Sequence, residues 1–567
     1  MSAPTTAEAS VAMPDAKAGL LRSLGIELDR GSLSSDLVAG LTTAVMLIPQ
    51  GMGYAMLAGL PPIYGLYSAL LPLVVYAALG SSRQLAVGPV AMVSLLVAAG
   101  VGAIAETGSD AFVAYAILLA LMVGVLQAGM GVARLGFLVN FLSHPVISGF
   151  TSAAAIIIGA SQLKHLMGVS IPRSSSVVEV FSGAAAHAAE TNLVTFAIGS
   201  GAIAALVLLK RYAPKAPRAL IVVVASTLVV WGFGLYQQGV GIVGDVPAGL
   251  PALTLPTMNF EVMRELLPTA IAISLVGFME SVAVAKRFAR QNGYEVNANR
   301  ELVGLGLANL LGSFTSAFPT TGGFSRTAVN AQAGAKTRLA GVITAAVVML
   351  TLVALTPLFH FLPKAVLAAI IMTAVIGLID LEEVRHLWKV SRRDLGLLGL
   401  TFVATLGLGI EEGILVGVGA SLVALVGRRL SQRRELPGAD LWRAGEALEA
   451  GTAAAPRGLR LATQVHFGNA ADLKERCRAE AAASPEAPLL LDASQTICID
   501  ASGEAALREL LTELGDRGPA LWISGLEGAG RDLLQRAGLL EPASELPAEL
   551  REVAGRTQGH RLVATAH

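Results

Sequence analysis

From Asp36 onward the chain repeats one pattern: apolar runs of about 15–24 residues alternate with short polar breaks. As helices, runs of that length cross or nearly cross the hydrocarbon layer of a bilayer. The pattern predicts about fourteen membrane segments, near 37–57, 63–80, 88–103, 112–132, 140–161, 192–209, 219–236, 266–285, 302–317, 322–334, 339–359, 364–379, 394–410 and 412–427. Two of them, 88–103 and 322–334, do not read as ordinary spanning helices. Each is short, and each is entered through glycine and proline, in Val87-Gly88-Pro89-Val90 and in Pro319-Thr320-Thr321-Gly322-Gly323. Residues 1–31 are polar to mildly amphipathic and lack an apolar run ending in a small-residue cleavage site. They read as a cytoplasmic N-terminal segment, 1–35, with a short surface helix near 18–28.

The order of the two odd segments points to an architecture. One is third and the other tenth, which is third again if spans 8–14 repeat spans 1–7. Seven is odd, so the second half must lie inverted, and paired Gly/Pro-interrupted segments mark transporters built from inverted repeats. Charge supports the count. With both termini cytoplasmic, the cytoplasmic segments through Arg434 hold 23 Lys and Arg, and the external ones hold four, Lys164, Arg173, Arg264 and Lys364. That is the bias expected of a multi-pass protein of the cell inner membrane. Arg326 falls on neither side.

Composition narrows the class. The chain is 54% hydrophobic and 14% charged, against about 25% charged in soluble domains. Its zero net charge argues against a nucleic-acid partner. The zero is an average: residues 1–430 hold 26 basic and 21 acidic side chains, and residues 431–567 hold 15 and 20. A sparsely charged membrane block, 36–430, therefore precedes a linker, 431–445, and a normally charged domain, 446–567.

Chemistry concentrates at the broken segments. Extended chain that enters the membrane and then starts a helix leaves that helix's first N–H groups unpaired and carries its positive dipole end inward. Such backbone survives at depth where it lines a cavity or is covered by protein. Two such starts facing each other make an anion site, offering the amides around Val90, Ala91 and Met92 and those around Phe324, Ser325 and Arg326. The Ser325 hydroxyl and the Arg326 guanidinium add to it. Glu280 is the acid that falls well inside a span, and a desolvated carboxylate beside a cation can take and release a proton. Gln50 and Tyr54, four apart beyond Pro49 in Ile48-Pro49-Gln50-Gly51-Met52-Gly53-Tyr54, share a helix face and can hydrogen-bond a bound oxyanion. Gly59, Gly65 and Gly149 read as close-packing points. The histidines do not assemble a metal site, no P-loop occurs, and Cys477 and Cys498 lack partners at metal or disulfide spacing, so no cofactor is implied.

These residues resemble a known family. Ile48-Pro49-Gln50-Gly51-Met52-Gly53-Tyr54, Val87-Gly88-Pro89-Val90-Ala91-Met92-Val93-Ser94 and the run from Gly323 through Ser325 and Arg326 to Thr337 look like the SulP sulfate permeases, in the right order and over essentially the whole chain. The resemblance implies an all-α polytopic domain of fourteen segments in a 7+7 inverted repeat, like that of the uracil permease. Spans 1–4 and 8–11 would form a core and spans 5–7 and 12–14 a gate. It also implies substrate contacts at Gln50, Tyr54, Val90, Ala91, Phe324, Ser325 and Arg326, and proton coupling at Glu280.

The tail predicts strands near 459–467, 489–493 and 520–524 alternating with helices near 470–483, 502–514 and 528–537, an α/β domain. It resembles STAS domains, most clearly over 489–503, where the Asp-Ser-Ser-Gly of anti-sigma antagonists reads Asp500-Ala501-Ser502-Gly503. Ser502 reads first as the cap of the following helix and second as a regulatory phosphorylation site. The whole predicts a secondary active transporter, not an enzyme, importing a small oxyanion, sulfate first, by proton symport with an elevator-type core movement. The partners implied are the anion, protons, the lipid bilayer, a second copy in a homodimer and a cytoplasmic protein at the STAS domain. Anion exchange, bicarbonate or C4-dicarboxylate transport, and anion sensing through the STAS domain are the alternatives.

Overall fold

Helices form where the apolar runs lie, but many are shorter than the runs. The structure, a computed structural model, describes residues 30–563 apart from 137–143, 171–176, 214–215, 410–411, 414, 422, 424–444, 449–456, 462–463, 467–468, 484–486, 497, 516–518, 548–549 and 552–556. The surface helix expected at 18–28, most of the linker and much of the fourteenth span lie outside the described residues. In chain order the first half carries α1 (Arg30–Ala58), α2 (Ile63–Tyr67), α3 (Leu71–Leu79), β1 (Val87–Gly88), α4 (Ala91–Gly102), α5 (Asp110–Val132), α6 (His144–Ser161), α7 (Leu163–Met167), α8 (Val177–Ala186), α9 (Leu193–Tyr212) and α10 (Arg218–Gly232). The second half carries α11 (Phe260–Gln291), α12 (Ala298–Ser313), β2 (Thr321–Gly322), α13 (Phe324–Gln332), α14 (Leu339–Leu350), α15 (Lys364–Val375), α16 (Leu381–Val390) and α17 (Arg392–Leu408).

Among the described residues, seven helical stretches are long and apolar enough to cross a membrane. The segments at 88–103 and 322–334 are indeed broken. At 1.5 Å per residue, α4 and α13 reach about 18 Å and about 14 Å, roughly half of the ~30 Å hydrocarbon layer. Each is preceded by two extended residues, and β1 pairs with β2 antiparallel, Val87 opposite Gly322 and Gly88 opposite Thr321. The two interruptions therefore meet. Other runs are less regular than expected: α14 continues through a π-helical turn, Thr351–Leu355, and a 3₁₀ turn, Thr356–Phe359. The polar breaks hold α7, α8 and α16, none of which the apolar pattern announced.

The described chain divides into two compact units. One is drawn from Met1–Gly136, Ser161–Pro172 and Gly183–Ala374. Its helices approach closely at glycines. A Cβ on Gly65 would lie 2.0 Å from the Gly51 carbonyl oxygen, one on Gly124 2.4 Å from the Leu310 nitrogen, and one on Gly306 2.3 Å from the Ala128 nitrogen. Gly65 thus holds α2 against the turn of α1 that carries Gln50. Gly59 has a different task from the packing expected of it: with φ of +92° it ends α1 in a left-handed turn, where the Leu60 N–H donates to Ala55.

The other unit is drawn from Phe137–Ala160, Arg173–Ser182 and Val375–His567. Gly149 packs α6 on α17, its Cβ position lying 2.4 Å from the Leu398 carbonyl oxygen. The tail folds around a six-stranded sheet. It is built from β3 (Gly445–Leu448), β4 (Arg457–Leu461), β6 (Leu489–Asp492), β8 (Leu521–Ser524), β9 (Ser544–Glu545) and β10 (Gln558–Arg561), in the order β3-β4-β6-β8-β10-β9. β4, β6 and β8 run parallel, and a small parallel pair joins β5 (Gln464–Val465) to β7 (Cys498–Ile499). Helices α18 (Ala470–Ala483), α19 (Ala501–Leu514) and α20 (Gly528–Arg536) pack on these strands. The amphipathic α16 docks on α19: Leu387, Leu398 and Ala501 share an apolar cluster, and His386 Nε2 lies 2.8 Å from the buried Glu504. Asp500, not Ser502, caps α19, its carboxylate accepting the N–H groups of Ser502 and Gly503 at 2.9 Å. Asp500 is extended at φ −95° and ψ 178°, as a cap must be, whereas Ser502 already lies inside the helix.

Two predictions follow from this packing. Gly65→Ala places a methyl against backbone that cannot yield, and should destabilise the detergent-solubilised protein by about 3 kcal/mol or more. Gly129→Ala, on an open face of α5, should not lower the thermal midpoint, because alanine favours the helix over glycine. Asp500→Ala should remove about 1 kcal/mol of cap stability and speed hydrogen exchange in the first turn of α19 about fivefold. Ser502→Ala should not change it.

Candidate functional site

α4 and α13 both begin without a side-chain cap. Val90 precedes α4 at φ −132° and ψ 154°, and Gly323 precedes α13 at φ −98° and ψ 132°; neither of these helix starts has a side-chain cap hydrogen bond. Each therefore presents N–H groups and the positive end of its dipole to the same place. Arg326, in the first turn of α13, adds a full positive charge there although it is 1% exposed.

Its guanidinium reaches from the second broken element to the first. Nη1 donates to the carbonyl of Pro89, the residue before Val90, while Nε and Nη2 are buried without a hydrogen-bond partner among the described residues. Gly323 makes room for this, since a Cβ there would lie 3.0 Å from Arg326 Nη2 and 3.1 Å from Val90 Cγ1. An unpaired buried donor costs about 1–3 kcal/mol, more for a charged one. A cation at a helix N-terminus is further disfavoured by the dipole. The arrangement has a surplus of positive potential and spare donors.

α1 supplies neutral polar groups. Gln50 and Tyr54 are buried, and Gln50 Nε2 donates to Tyr54 Oη at 3.0 Å and to Ser325 Oγ at 3.4 Å. The Gln50 side-chain oxygen, Oε1, is buried and has no partner among the described residues. The expected group is thus brought together: Gln50, Tyr54, Ser325 and Arg326 form one constellation beside the starts at Val90, Ala91 and Phe324. The Phe324 ring is 40% exposed, packs near Phe288 and lies under the Arg287 guanidinium at 5.2 Å. Glu280, on α11, is within electrostatic reach of both Arg326 and Tyr54. Its Oε2 is buried and unpartnered, and it makes no ion pair with Arg326 among the described residues. Ser502 lies in the other unit.

Two acids that the pattern left at span ends hold the arms in place. Glu301, fully buried at the start of α12, accepts from the backbone N–H groups of Ser81 at 2.7 Å and Ser82 at 3.1 Å, and from the Tyr76 hydroxyl at 2.7 Å. This fixes the chain entering β1. Asp36, 1% exposed on α1, accepts from the backbone of Lys336 at 2.7 Å and Thr337 at 3.0 Å, which fixes the chain leaving α13. The signal for Asp36 and Glu301 was weak: each is one acid near a polar break.

Two half-length helices whose entries are joined by a short antiparallel pair, in a chain of many apolar helices, define a multi-pass membrane transporter. The chain belongs to the sulfate permease family, whose model matches residues 33–401, and a STAS domain model matches residues 454–547. It is 41% identical over 530 residues to sulfate transporter 4.1, chloroplastic, of Arabidopsis thaliana, covering 89% of this chain and 77% of that protein. It is 37% identical over 536 residues to the sodium-independent sulfate anion transporter of Bos taurus, covering 88% and 84%. The solved structure of SLC26A9 superposes with a TM-score of 0.70 at 26% identity, covering 92% of this chain and 88% of that one. The resemblance drawn from the sequence thus holds for both the membrane part and the tail.

If the spare donors of Arg326 serve a bound anion, Arg326→Gln should weaken equilibrium binding of radiolabelled sulfate about ten- to a hundredfold, the scale of a charged hydrogen bond. Arg326→Lys should recover only part of it, because a point charge replaces a planar fork.

Proposed function

We propose that the chain imports a small oxyanion, sulfate in first place, together with protons. The observation that carries this reading is the buried Arg326 guanidinium, with two nitrogens, Nε and Nη2, unpartnered among the described residues, between two uncapped helix starts. A tetrahedral dianion supplies the acceptors and the negative charge that this place lacks. Gln50, Tyr54, Ser325 and the amides near Val90, Ala91 and Phe324 complete its coordination. The names of the relatives from Arabidopsis thaliana and Bos taurus favour sulfate, and the second of them argues against sodium as the coupling ion.

Energetics call for protons. An inside-negative membrane potential opposes anion entry by about 2.3 kcal/mol per charge per 100 mV, so a dianion must bring positive charge with it. Glu280 is the group to carry it. Ionised, it offsets the potential of Arg326 and weakens the site for an anion. Protonated, it leaves that potential for the substrate, so external acid loads the proton and the anion together. Carriage then proceeds by an elevator-type movement of the core, spans 1–4 and 8–11, against the gate, in the inner membrane with both termini cytoplasmic. The STAS domain serves dimerisation and regulation, with Ser502 as a regulatory position at the start of α19.

Proteoliposome uptake tests the coupling. An inward proton gradient should stimulate sulfate uptake by the wild type. Glu280→Gln should lose that stimulation while still exchanging sulfate for sulfate. Gradient-stimulated uptake that survives in Glu280→Gln would remove Glu280 from the mechanism.

A further inference from the structure

Ser281 follows Glu280 on α11 and is fully buried, and Thr321 of β2 is 1% exposed. Their hydroxyl oxygens are 2.6 Å apart. Thr321 Oγ1 also donates to the Gly277 carbonyl at 2.6 Å, and Ser281 Oγ accepts the Gly322 N–H at 2.8 Å. A hydroxyl carries one proton. A carbonyl can only accept, so the Thr321 proton is committed to Gly277 and the Ser281 proton must point to Thr321. The result is a directed chain from the Gly322 N–H through Ser281 and Thr321 to the Gly277 carbonyl. It begins on the strand that leads into α13 and ends on the helix that bears Glu280.

The residue before this pair is fixed as firmly. Asn309 Oδ1 accepts the Thr320 N–H at 2.7 Å, and its Nδ2 donates to the Thr320 carbonyl at 2.9 Å. Thr320, Thr321 and Gly322 are therefore all held by side chains of α11 and α12, immediately before the helix start that carries Arg326. The ties of Thr321 and Gly322 run to the Glu280 helix, α11, and those of Thr320 to α12, all by polar contacts that fix distance and direction.

We propose that Ser281 and Thr321 are positioning residues that fix the Arg326 end of the anion site to the helix bearing Glu280, so that a shift of that helix moves the guanidinium. The proposal rests on the reading of Arg326 as an anion ligand. Neither hydroxyl touches the anion; both act through β2 and α13.

The test measures radiolabelled sulfate binding to the full-length purified protein at mildly acidic and neutral pH, with thermal midpoints recorded alongside. Ser281→Ala and the isosteric Thr321→Val should weaken binding about three- to tenfold, the scale of one buried hydrogen bond, and flatten its response to pH. Thr321→Ser keeps the hydroxyl and should restore both. Wild-type affinity and pH response in Ser281→Ala and Thr321→Val overturn the proposal, and so does an equal loss in Thr321→Ser, which would assign the effect to packing. Arg326→Gln separates the two readings. If it binds normally, the anion site itself is misplaced and this proposal falls with it. If it loses binding while the hydroxyl variants do not, the positioning role alone is wrong.

Discussion

A positive charge shut away from water must be answered by something, and much of the site's surrounding structure serves to keep this one waiting. Among the described residues Arg326 has one acceptor, the Pro89 carbonyl, for a group with five N–H donors, and it sits where two helix dipoles also point their positive ends. Folding tolerates this because the arms around it are fixed independently. Glu301 secures the chain before β1, Asp36 secures the chain after α13, and glycines let α1, α2, α5 and α12 approach to backbone contact. The charge does not need to stabilise its own surroundings.

The same logic explains why neutral groups face the guanidinium. A carboxylate in contact would satisfy Arg326 permanently and compete with any external anion. Gln50 instead hydrogen-bonds Tyr54 at 3.0 Å and Ser325 at 3.4 Å, and none of the three carries a charge that would answer Arg326. Among the described residues Glu280 makes no ion pair with Arg326 but lies within its electrostatic reach; in the function proposed above, its charge adjusts the potential of the site while the donors of Arg326 stay uncommitted.

Much of this was legible in the chain. Apolar run length marked the membrane block, glycine and proline marked both interruptions, and matching ordinal positions showed that they belong together. Arg326 and Glu280 stood out because charges are rare in apolar stretches. What escaped has physical causes. Helix α16 is amphipathic, and the strands β9 and β10 are short and mixed in character, so neither shows a long apolar run. The π-helical turn beyond α14 leaves composition unchanged. At the start of α19, Asp500 and Ser502 are both good caps by type, and only the extended backbone at Asp500 decides between them. Glu301 and Asp36 act by accepting backbone N–H groups from residues more than two hundred positions away, and local pattern carries no trace of such pairing.

The antiparallel pairing of β1 with β2 has one more consequence. It sets two structurally equivalent arms side by side, yet Val93 occupies the third position of α4 where Arg326 occupies the third position of α13. The two arms are free to specialise: one can be kept for shape while the other is altered for charge. A scaffold of this kind can acquire a new cargo by changes on a single arm, leaving its partner to preserve the frame in which the change is tried.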